Sequence, residues 1–208
     1  MKKYKLYLFD FDGTLFDSTE SLIDAYQAVL DKYHKKANNK DEFRLYLGMS
    51  LPRFMEYKGI DIKYTQELID IFHKHAQGIE VVKKTILYPD SKEAIEYILN
   101  NNLLFGIVTG GHSLRIKEVF DYYHLHFDKL ACCVTNELYK IPKPNPDPIN
   151  IALKLSGFTN RKDEVVYIGD ALQDELSAKA AGIDYLQVKR STNDFKGDIN
   201  SLMDLFKK

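Results

Sequence analysis

Short apolar runs that alternate with helical segments limit the folds open to this chain more than any other feature. The runs are YLF before Asp10, LLFGIVTG, LACCVT, VVYIGD and DYLQV. Each is short enough to be a strand buried on both faces, and helical patterns separate the last four. Strands that alternate with helices are joined by crossovers, so the sequence predicts an α/β fold with a parallel sheet.

The stretch between the first and second predicted strands is too long for one crossover. About seventy residues carry helical patterns and no convincing strand, whereas a crossover normally holds a single helix. Asp17 is predicted to cap the first of these helices, and Asp90 to cap the helix that returns the chain to the sheet. We therefore predict an α/β core of residues 1–15 and 85–208, with a helical domain of residues 16–84 inserted into it.

The composition is that of a soluble globular protein, and it disfavours several kinds of partner. A formal net charge of −1 argues against nucleic-acid binding, which normally needs a basic excess. The N-terminal apolar stretch is broken by Lys5 and is too short for a signal peptide, and no segment has the length of a membrane span. We expect a cytoplasmic protein without nucleic-acid or membrane partners.

The two cysteines, Cys132 and Cys133, are neighbours in an apolar run. Adjacent strand residues point to opposite faces of a sheet, so we expect no disulfide bond between them. They are interpreted as small core residues, which suits the reducing environment of the cytoplasm.

Polar side chains follow the first four predicted strands, at or near the point where each strand ends. They are Asp10 and Asp12 in DFDGT, Thr109 and Gly110 in VTGG, Lys143 in KPNPDP, and Asp170 and Asp174 in GDALQDE. Ligands of parallel α/β proteins bind outside the carboxyl ends of the strands, so these residues are predicted to share one site. Each motif alone has a plain structural explanation, and DFDGT has neither the spacing of an EF-hand loop nor the ending of a P-loop. Their order and placement together indicate a function.

In this order, the four motifs resemble those of the haloacid dehalogenase superfamily, and the helical insertion resembles the cap of its phosphatase members. FDFDGTLFDS and KPNPDP are most similar to the phosphoglycolate phosphatase group. The resemblance covers essentially the whole chain and implies a Rossmann-like core with an inserted helical cap. It also implies a Mg²⁺-dependent phosphatase that hydrolyses a small phosphorylated metabolite through an aspartyl phosphate. Whether the protein is a monomer or a homodimer stays open.

The resemblance also implies a role for each motif. Asp10 is assigned as the nucleophile that carries the phosphoryl group. Asp12 is expected to protonate the departing oxygen and then to take a proton from the attacking water. Lys143 supplies a fixed positive charge. The Thr109 hydroxyl and nearby groups such as Gly110 bind the phosphoryl oxygens.

A metal ion would resolve the crowding of carboxylates, because like charges resist sharing a site unless a cation neutralises them. Asp10 and Asp170, with the main-chain oxygen of Asp12 in the family pattern, offer an all-oxygen site. A hard cation, Mg²⁺, is expected there. Asp174 is expected to orient Lys143 or the waters of the metal.

Substrate specificity is expected to lie in the helical domain. Arg44, Arg53 and Lys58 are candidates to hold an anionic tail of the substrate, although such residues are more often simply solvated. The segment LGMSLPRF is expected to contribute to the choice of substrate.

Other activities of the superfamily compete with the phosphatase interpretation. A haloacid dehalogenase needs no acid two residues after the nucleophile, so Asp12 argues against it. A sugar phosphomutase uses the same groups, but such members often carry valine where this chain has Thr14. A pyrophosphatase or a nucleotidase stays within the hydrolase interpretation. A non-catalytic phosphate-binding regulatory protein would usually have lost a nucleophile or a metal ligand, and here every motif position is filled.

Overall fold

The computed structural model of the protein describes residues 2–37, 42–47, 51–190 and 196–207. Within its helices, the side chains at positions 44, 45, 47, 52 and 62 lie outside this description. The chain divides into two compact units. One, here called the α/β unit, consists of Met1–Asp17 and Leu87–Lys208, and the other, the helical unit, of Ser18–Ile86. Both divisions fall two residues beyond the boundaries expected from the sequence.

Five strands of the α/β unit form a parallel sheet. The strands along the described chain are β1 Leu6–Phe9, β2 Phe16–Asp17, β3 Ile86–Leu87, β4 Leu104–Val108, β5 Cys132–Val134, β6 Val165–Gly169 and β7 Asp184–Gln187. Five of them form a sheet in the order β5-β4-β1-β6-β7, with every neighbouring pair parallel. The predicted α/β fold is confirmed. β2 and β3 were not predicted, because two residues are too few to produce a strand pattern.

The helices fall into two groups along the chain. The helical unit contains α1 Thr19–Lys32, α2 Glu42–Leu47, α3 Leu51–Tyr57, α4 Thr65–His75 and α5 Ile79–Lys84, and the α/β unit contains α6 Pro89–Asn100, α7 Ser113–Tyr122, α8 Asp147–Leu155 and α9 Leu172–Ala181. α7, α8 and α9 lie in the crossovers that follow β4, β5 and β6. No helix in the described part of the chain has both the length and the apolar character that crossing a bilayer requires.

The register of the sheet brings the carboxyl ends of its central strands level with one another. Phe9, the last residue of β1, is paired with Ile107 of β4 and Ile168 of β6. Parallel strands point in the same direction, so the residues that follow them leave the sheet at the same edge. Asp10 and Asp170 therefore begin their loops side by side.

The central strands of the sheet are buried on both faces, as their apolar runs predicted, whereas the edge strand β7 is only half-buried. Every residue of β1 and of β6 is buried. On one face, Leu8 and Val165 belong to a cluster with Leu153 of α8 and Ala178 of α9. Full burial of a leucine or valine side chain contributes about 1.5–3 kcal/mol to folding. This packing makes the sheet a rigid base for the loops at its carboxyl edge.

The cysteines of β5 are free thiols, as expected from their adjacent positions. Cys132 is buried and Cys133 is half-buried. Burial raises the pKa of Cys132 to about 12 and that of Cys133 to about 11. Both side chains therefore stay protonated near neutral pH and act as core residues.

The helical unit has a core of its own, built on aromatic side chains. Tyr26 of α1 packs edge-on against Phe54 of α3 and Phe72 of α4, and Tyr46 of α2 packs edge-on against Phe54. The Tyr26 hydroxyl donates a hydrogen bond of 2.8 Å to the main-chain oxygen of Tyr46. Edge-to-face aromatic pairs contribute about 0.5–1.5 kcal/mol each beyond their buried area. These contacts connect α1 to α2, α3 and α4 within the unit.

Two predicted helix caps are wrong. The N-cap of α1 is Ser18 rather than Asp17, and its side chain makes no capping hydrogen bond. The N-cap of α6 is Tyr88, and Asp90 lies inside the helix. Both Asp90 carboxylate oxygens instead accept hydrogen bonds of 2.9 Å from the buried Arg190. A charged partner from a distant segment outcompetes the local amide that the capping pattern supplied, because a charge-assisted pair is the stronger interaction.

Arg190 also anchors the loop that follows β1. Its Nε and Nη2 donate to the main-chain oxygen of Thr14 at 3.0 and 2.6 Å. The guanidinium lies over the ring of Tyr88, 4.1 Å from its centroid. One buried arginine therefore connects the loop after β1 with the start of α6.

Candidate active site

A buried ammonium lies at the centre of the polar residues at the carboxyl edge. Lys143 Nζ donates hydrogen bonds to Asp10 Oδ1 at 2.9 Å, to Asp174 Oδ1 at 2.6 Å and to the Tyr167 hydroxyl at 2.9 Å. An ammonium has three protons, and all three are used. Burial lowers the pKa of Lys143, but the carboxylates of Asp10 and Asp174 raise it more, so the net shift is upward. Lys143 is therefore a permanent positive charge held against Asp10.

Three carboxylates surround this single positive charge. Asp10, Asp170 and Asp174 each offer an oxygen within 4.8 Å of the others. Burial, opposed by Lys143 and assisted by the two neighbouring carboxylates, raises the pKa of Asp10 well above its usual value. Burial, followed by the charge of Asp174, raises the pKa of Asp170 to about 7. With all three carboxyls ionised, the cluster would carry more negative charge than Lys143 neutralises, and these two raised pKa values reflect that repulsion together with burial.

This excess charge fits a metal cation, and the donor atoms are all oxygen. Asp174 is the least available ligand, because its Oδ1 already accepts from Lys143 and Tyr167 and its Oδ2 from the Ala171 amide. Asp10 and Asp170 are the carboxylates best placed to hold a hard cation such as Mg²⁺.

Gly13 allows the loop after β1 to lie directly against Asp170. Its φ of +79° is in the left-handed region that side chains rarely adopt. A Cβ atom at this position would lie only 2.5 Å from Asp170 Oδ2. Any other residue here would push Asp170 away from Asp10, so the close approach of the two carboxylates depends on this glycine.

The side chain of Asp12 is turned toward Arg115 and forms a two-point ion pair with it. Arg115 Nη1 lies 3.0 Å from Asp12 Oδ2, and Nη2 lies 2.7 Å from Oδ1. The expected metal contact of Asp12 involves its main-chain oxygen and does not require this carboxylate. Arg115 was missed in the sequence, although a signal exists: it lies on the face of α7 that buries Ile116, Val119 and Phe120.

Thr109 lies at the end of β4, and Gly110 follows it into the loop before α7. The Thr109 hydroxyl accepts a hydrogen bond of 3.0 Å from the Gly111 amide. No acceptor for its own proton is found among the residues that the structure describes. Gly110 is exposed. A buried hydroxyl with an unused proton beside an exposed glycine suits the binding of an anion.

The arginines expected to contact the substrate belong to the helical unit. Arg53 is exposed on α3, and the Arg44 side chain is outside the described residues. Part of the segment LGMSLPRF, positions 48–50, is also outside them. Lys58 pairs with the buried Glu42 at 3.1 Å, which indicates a structural role. Substrate binding by Arg44 and Arg53 therefore stays a prediction.

Tyr167 of β6 is a second residue that sequence reasoning missed. Its hydroxyl accepts from Lys143, and it lies 3.0 Å from the main-chain oxygen of Val108 and 3.0 Å from Asp174 Oδ1. Lys143 and Asp174 both rely on this hydroxyl. Sequence offered no clear signal, since a tyrosine in an apolar strand is normally a core residue.

Replacement of Tyr167 by phenylalanine should lower the free energy of unfolding by about 1–3 kcal/mol, because a proton of the buried Lys143 loses its acceptor. Urea unfolding of the purified variant measures this loss. Tyr185→Phe is the matched control: among the described residues, the Tyr185 hydroxyl makes one hydrogen bond, a long one of 3.4 Å to the Ala171 oxygen. Equal stabilities for the two variants would show that the Tyr167 hydroxyl does not support the cluster.

Comparison with known proteins places this geometry in a family context. The model of the family described as haloacid dehalogenase-like hydrolase matches residues 7–188. A phosphoglycolate phosphatase of Colwellia psychrerythraea is 26% identical over 210 residues, which cover 96% of this chain and 90% of that protein. The pyrophosphatase PpaX of Bacillus velezensis is 27% identical over 189 residues, with 87% of this chain and 81% of that protein covered.

Solved structures agree with the family match. A Bacteroides fragilis protein described as a haloacid dehalogenase-like hydrolase superimposes with a TM-score of 0.84 at 26% identity, over 93% of this chain and 90% of that one. A hydrolase from Pseudomonas syringae superimposes with a TM-score of 0.75 at 24% identity, over 97% of this chain and 90% of that one. The second likeness shows the fold alone.

Proposed function

The chain belongs to the haloacid dehalogenase-like hydrolases, and from this premise we propose that it is a Mg²⁺-dependent phosphatase of small metabolites. The observation that carries the proposal is the contact of 2.9 Å between Lys143 and Asp10 inside a cluster of three carboxylates. A lysine held against a buried aspartate keeps a nucleophilic oxygen oriented and provides positive charge where a phosphoryl group would arrive.

In the proposed reaction, Asp10 attacks the phosphorus atom. The bond from phosphorus to the ester oxygen breaks as the new bond to Asp10 forms, and the departing oxygen takes a proton from Asp12. Asp12 then accepts a proton from water as this water attacks the phosphorus of the aspartyl phosphate. Inorganic phosphate leaves and the Asp10 carboxylate is restored. One carboxylate cannot perform both tasks, because attacking and leaving groups lie on opposite sides of phosphorus.

Other residues of the chain are proposed to prepare the site. Lys143 and the Thr109 hydroxyl bind phosphoryl oxygens, and Asp174 with Tyr167 keeps Lys143 in place. Asp10, Asp170 and the main-chain oxygen of Asp12 are the proposed ligands of Mg²⁺, which when bound would neutralise charge on the carboxylates and on the phosphoryl group. Arg44 and Arg53 of the helical unit are proposed contacts for the part of the substrate that does not react.

Phosphoglycolate is the first proposed substrate and pyrophosphate the second. The relatives reported above carry these two activities in their names, at similar identity and coverage. Hydrolysis of phosphoglycolate releases an alcohol that carries a carboxylate and is a poor leaving group. Hydrolysis of pyrophosphate releases phosphate, which is a better leaving group. A general acid such as Asp12, which can protonate a departing alkyl oxygen, suits phosphoglycolate.

Release of inorganic phosphate from a panel of compounds tests the proposal. The panel contains phosphoglycolate, sugar phosphates, nucleotides and pyrophosphate, each with Mg²⁺ and with EDTA. We expect metal-dependent release, fastest from phosphoglycolate. Fastest release from pyrophosphate would favour the second candidate. Release from none of the compounds would overturn the phosphatase proposal.

Binding of Mg²⁺ should weaken as the pH falls. In the metal-free protein, burial raises the pKa of Asp170 to about 7, so this carboxyl is protonated below that pH and ionised above it. A cation binds only the ionised forms of Asp170 and Asp10, whose pKa values are both raised, so its affinity should fall at least about tenfold per pH unit below about pH 7. Calorimetric titration with Mg²⁺ at about pH 6 and about pH 8 measures the difference. An affinity that is equal at both would show that Asp170 is not a ligand.

A further inference from the structure

We propose that Arg115 is a positioning residue that holds the Asp12 carboxylate in the orientation needed for proton transfer to the leaving oxygen. The inference rests on the proposed phosphatase function, in which Asp12 is the general acid. It concerns a residue on α7, outside the four motifs at the strand ends.

The contact between the two side chains has the geometry that restricts a carboxylate most. Two nitrogens of one guanidinium meet two oxygens of one carboxylate, at 3.0 and 2.7 Å. A paired contact of this kind fixes the plane of the carboxylate as well as its position, whereas a single hydrogen bond leaves it free to rotate. Asp12 therefore has one dominant orientation in this structure.

The surroundings of Arg115 indicate that Asp12 is its main polar partner. The Arg115 side chain is 4% exposed and that of Asp12 is 14% exposed. Both hydrogen bonds of Arg115 go to Asp12, and its Nε has no hydrogen-bond partner among the residues described. Burying an arginine with an unused N–H is costly. The guanidinium also lies over the Phe11 ring, 5.2 Å from its centroid, so packing holds it from a second side.

The position of Arg115 in the chain connects the acid to the phosphate-binding loop. Arg115 is in the first turn of α7, which directly follows the loop of Thr109 and Gly110. Asp12 is in the loop after β1. The ion pair therefore joins the loop after β1 to the start of α7. In the proposed reaction, these two segments would lie at the departing oxygen and at the phosphoryl group, the two ends of the bond that breaks. Without the ion pair, the Asp12 carboxylate would be held less firmly, and it would place a proton at the leaving oxygen less often.

The dependence of rate on the leaving group tests this role. An alkyl phosphate needs a proton on its departing oxygen, whereas the nitrophenolate of p-nitrophenyl phosphate leaves without one. We would measure kcat/KM for both ester types, using phosphoglycolate as the alkyl ester. The proteins are wild type, Arg115→Gln, Arg115→Lys, Asp12→Asn and the double variant Asp12→Asn/Arg115→Gln, all as full chains with Mg²⁺. Thermal melting checks that each variant is folded.

For Arg115→Gln, we expect a loss of about 30-fold or more on the alkyl ester and at most about threefold on p-nitrophenyl phosphate. Arg115→Lys keeps the positive charge without the two-point contact, so its loss of kcat/KM on the alkyl ester should lie between zero and that of Arg115→Gln. The lysine variant also serves as the test if the glutamine variant does not fold. In the double variant, Arg115→Gln should cause almost no further loss of kcat/KM on the alkyl ester beyond that of Asp12→Asn alone, because the carboxylate through which Arg115 acts is already gone.

Three results would overturn the proposal. They are equal losses of kcat/KM on both esters, an unchanged or increased kcat/KM on the alkyl ester, and a full additional loss in the double variant. Arg115 would then only brace α7 against the loop after β1. Failure of the phosphatase function looks different: wild type itself would hydrolyse neither ester, whatever residue stands at position 115, and the inference would fall with it.

Discussion

Replacement of Asp10 by asparagine is expected to abolish phosphate release while leaving the protein folded. The amide nitrogen and oxygen cannot attack phosphorus as the carboxylate does, so the loss should be about 10⁴-fold or more. The shape of the side chain is nearly unchanged, and Lys143 keeps its contact of 2.6 Å with Asp174. Phosphate release from the best substrate of the panel, with Mg²⁺ in excess, measures the effect.

Stability separates this chemical role from a structural one. Burial raises the pKa of Asp10 well above its usual value, which means that the folded protein disfavours its ionised form. The contribution of such a group to stability is present at low pH and is lost as the pH rises through the raised pKa. In metal-free buffer at about pH 8, the asparagine variant should therefore melt at or above the temperature of wild type.

A matched substitution at the other end of the sheet provides the control. Asp163 is exposed in the 3₁₀ turn that precedes β6, far along the strand from the carboxyl edge. Asp163→Asn should keep both the activity and the stability of wild type. Residual activity of Asp10→Asn within about tenfold of wild type would exclude Asp10 as the nucleophile.

Replacement of Lys143 by methionine is expected to damage both stability and activity. Removal of one partner from a buried ion pair leaves an uncompensated charge and typically costs about 3–5 kcal/mol. Here two carboxylates, those of Asp10 and Asp174, lose their shared cation at once. Loss of a positive charge aimed at the phosphoryl group should also lower kcat about 10²–10³-fold. Urea unfolding in EDTA and phosphate release in Mg²⁺ measure the two effects separately.

The stability loss of this variant should depend on pH in a defined direction. Lys143 lowers the pKa of Asp10, so its removal moves that pKa still further upward. A raised pKa in the folded state destabilises the protein where the carboxyl is ionised, that is, at higher pH. The loss in free energy of unfolding relative to wild type should therefore be larger at about pH 8 than at about pH 5. Lys140→Met, at an exposed position in the same loop, should show neither loss. A deficit that grows as the pH falls would contradict the proposed pairing.

The sheet and the position of the site were readable from sequence because both depend on local patterns. An apolar run such as VVYIGD can be buried on both faces only within a covered sheet, and β6 occupies Val165–Gly169 of it. Parallel strands then place Asp10, Thr109 and Asp170 at one edge without further information. The inserted helical domain was predicted in the same way, since too many helical residues separate the first two long strands.

The contacts that complete the site could not be read in this way. Asp12 and Arg115 are 103 residues apart, and Lys143 and Tyr167 are 24 apart, so no local spacing connects either pair. The arginine on the buried face of α7 was a signal, but its partner depends on how that helix packs against the sheet. The failed cap at Asp90 has the same origin, since its carboxylate pairs with the distant Arg190.

The sequence by itself determined the five strands of the large sheet, their parallel direction and the edge at which the carboxylates gather. Hydrophobic periodicity and strand direction are properties of neighbouring residues, and they leave few alternatives. Only the tertiary structure decided which charges meet. The pairing of Arg115 with Asp12, and the sharing of Lys143 between Asp10, Asp174 and Tyr167, follow from packing that brings distant segments within about 3 Å, the range in which a hydrogen bond forms.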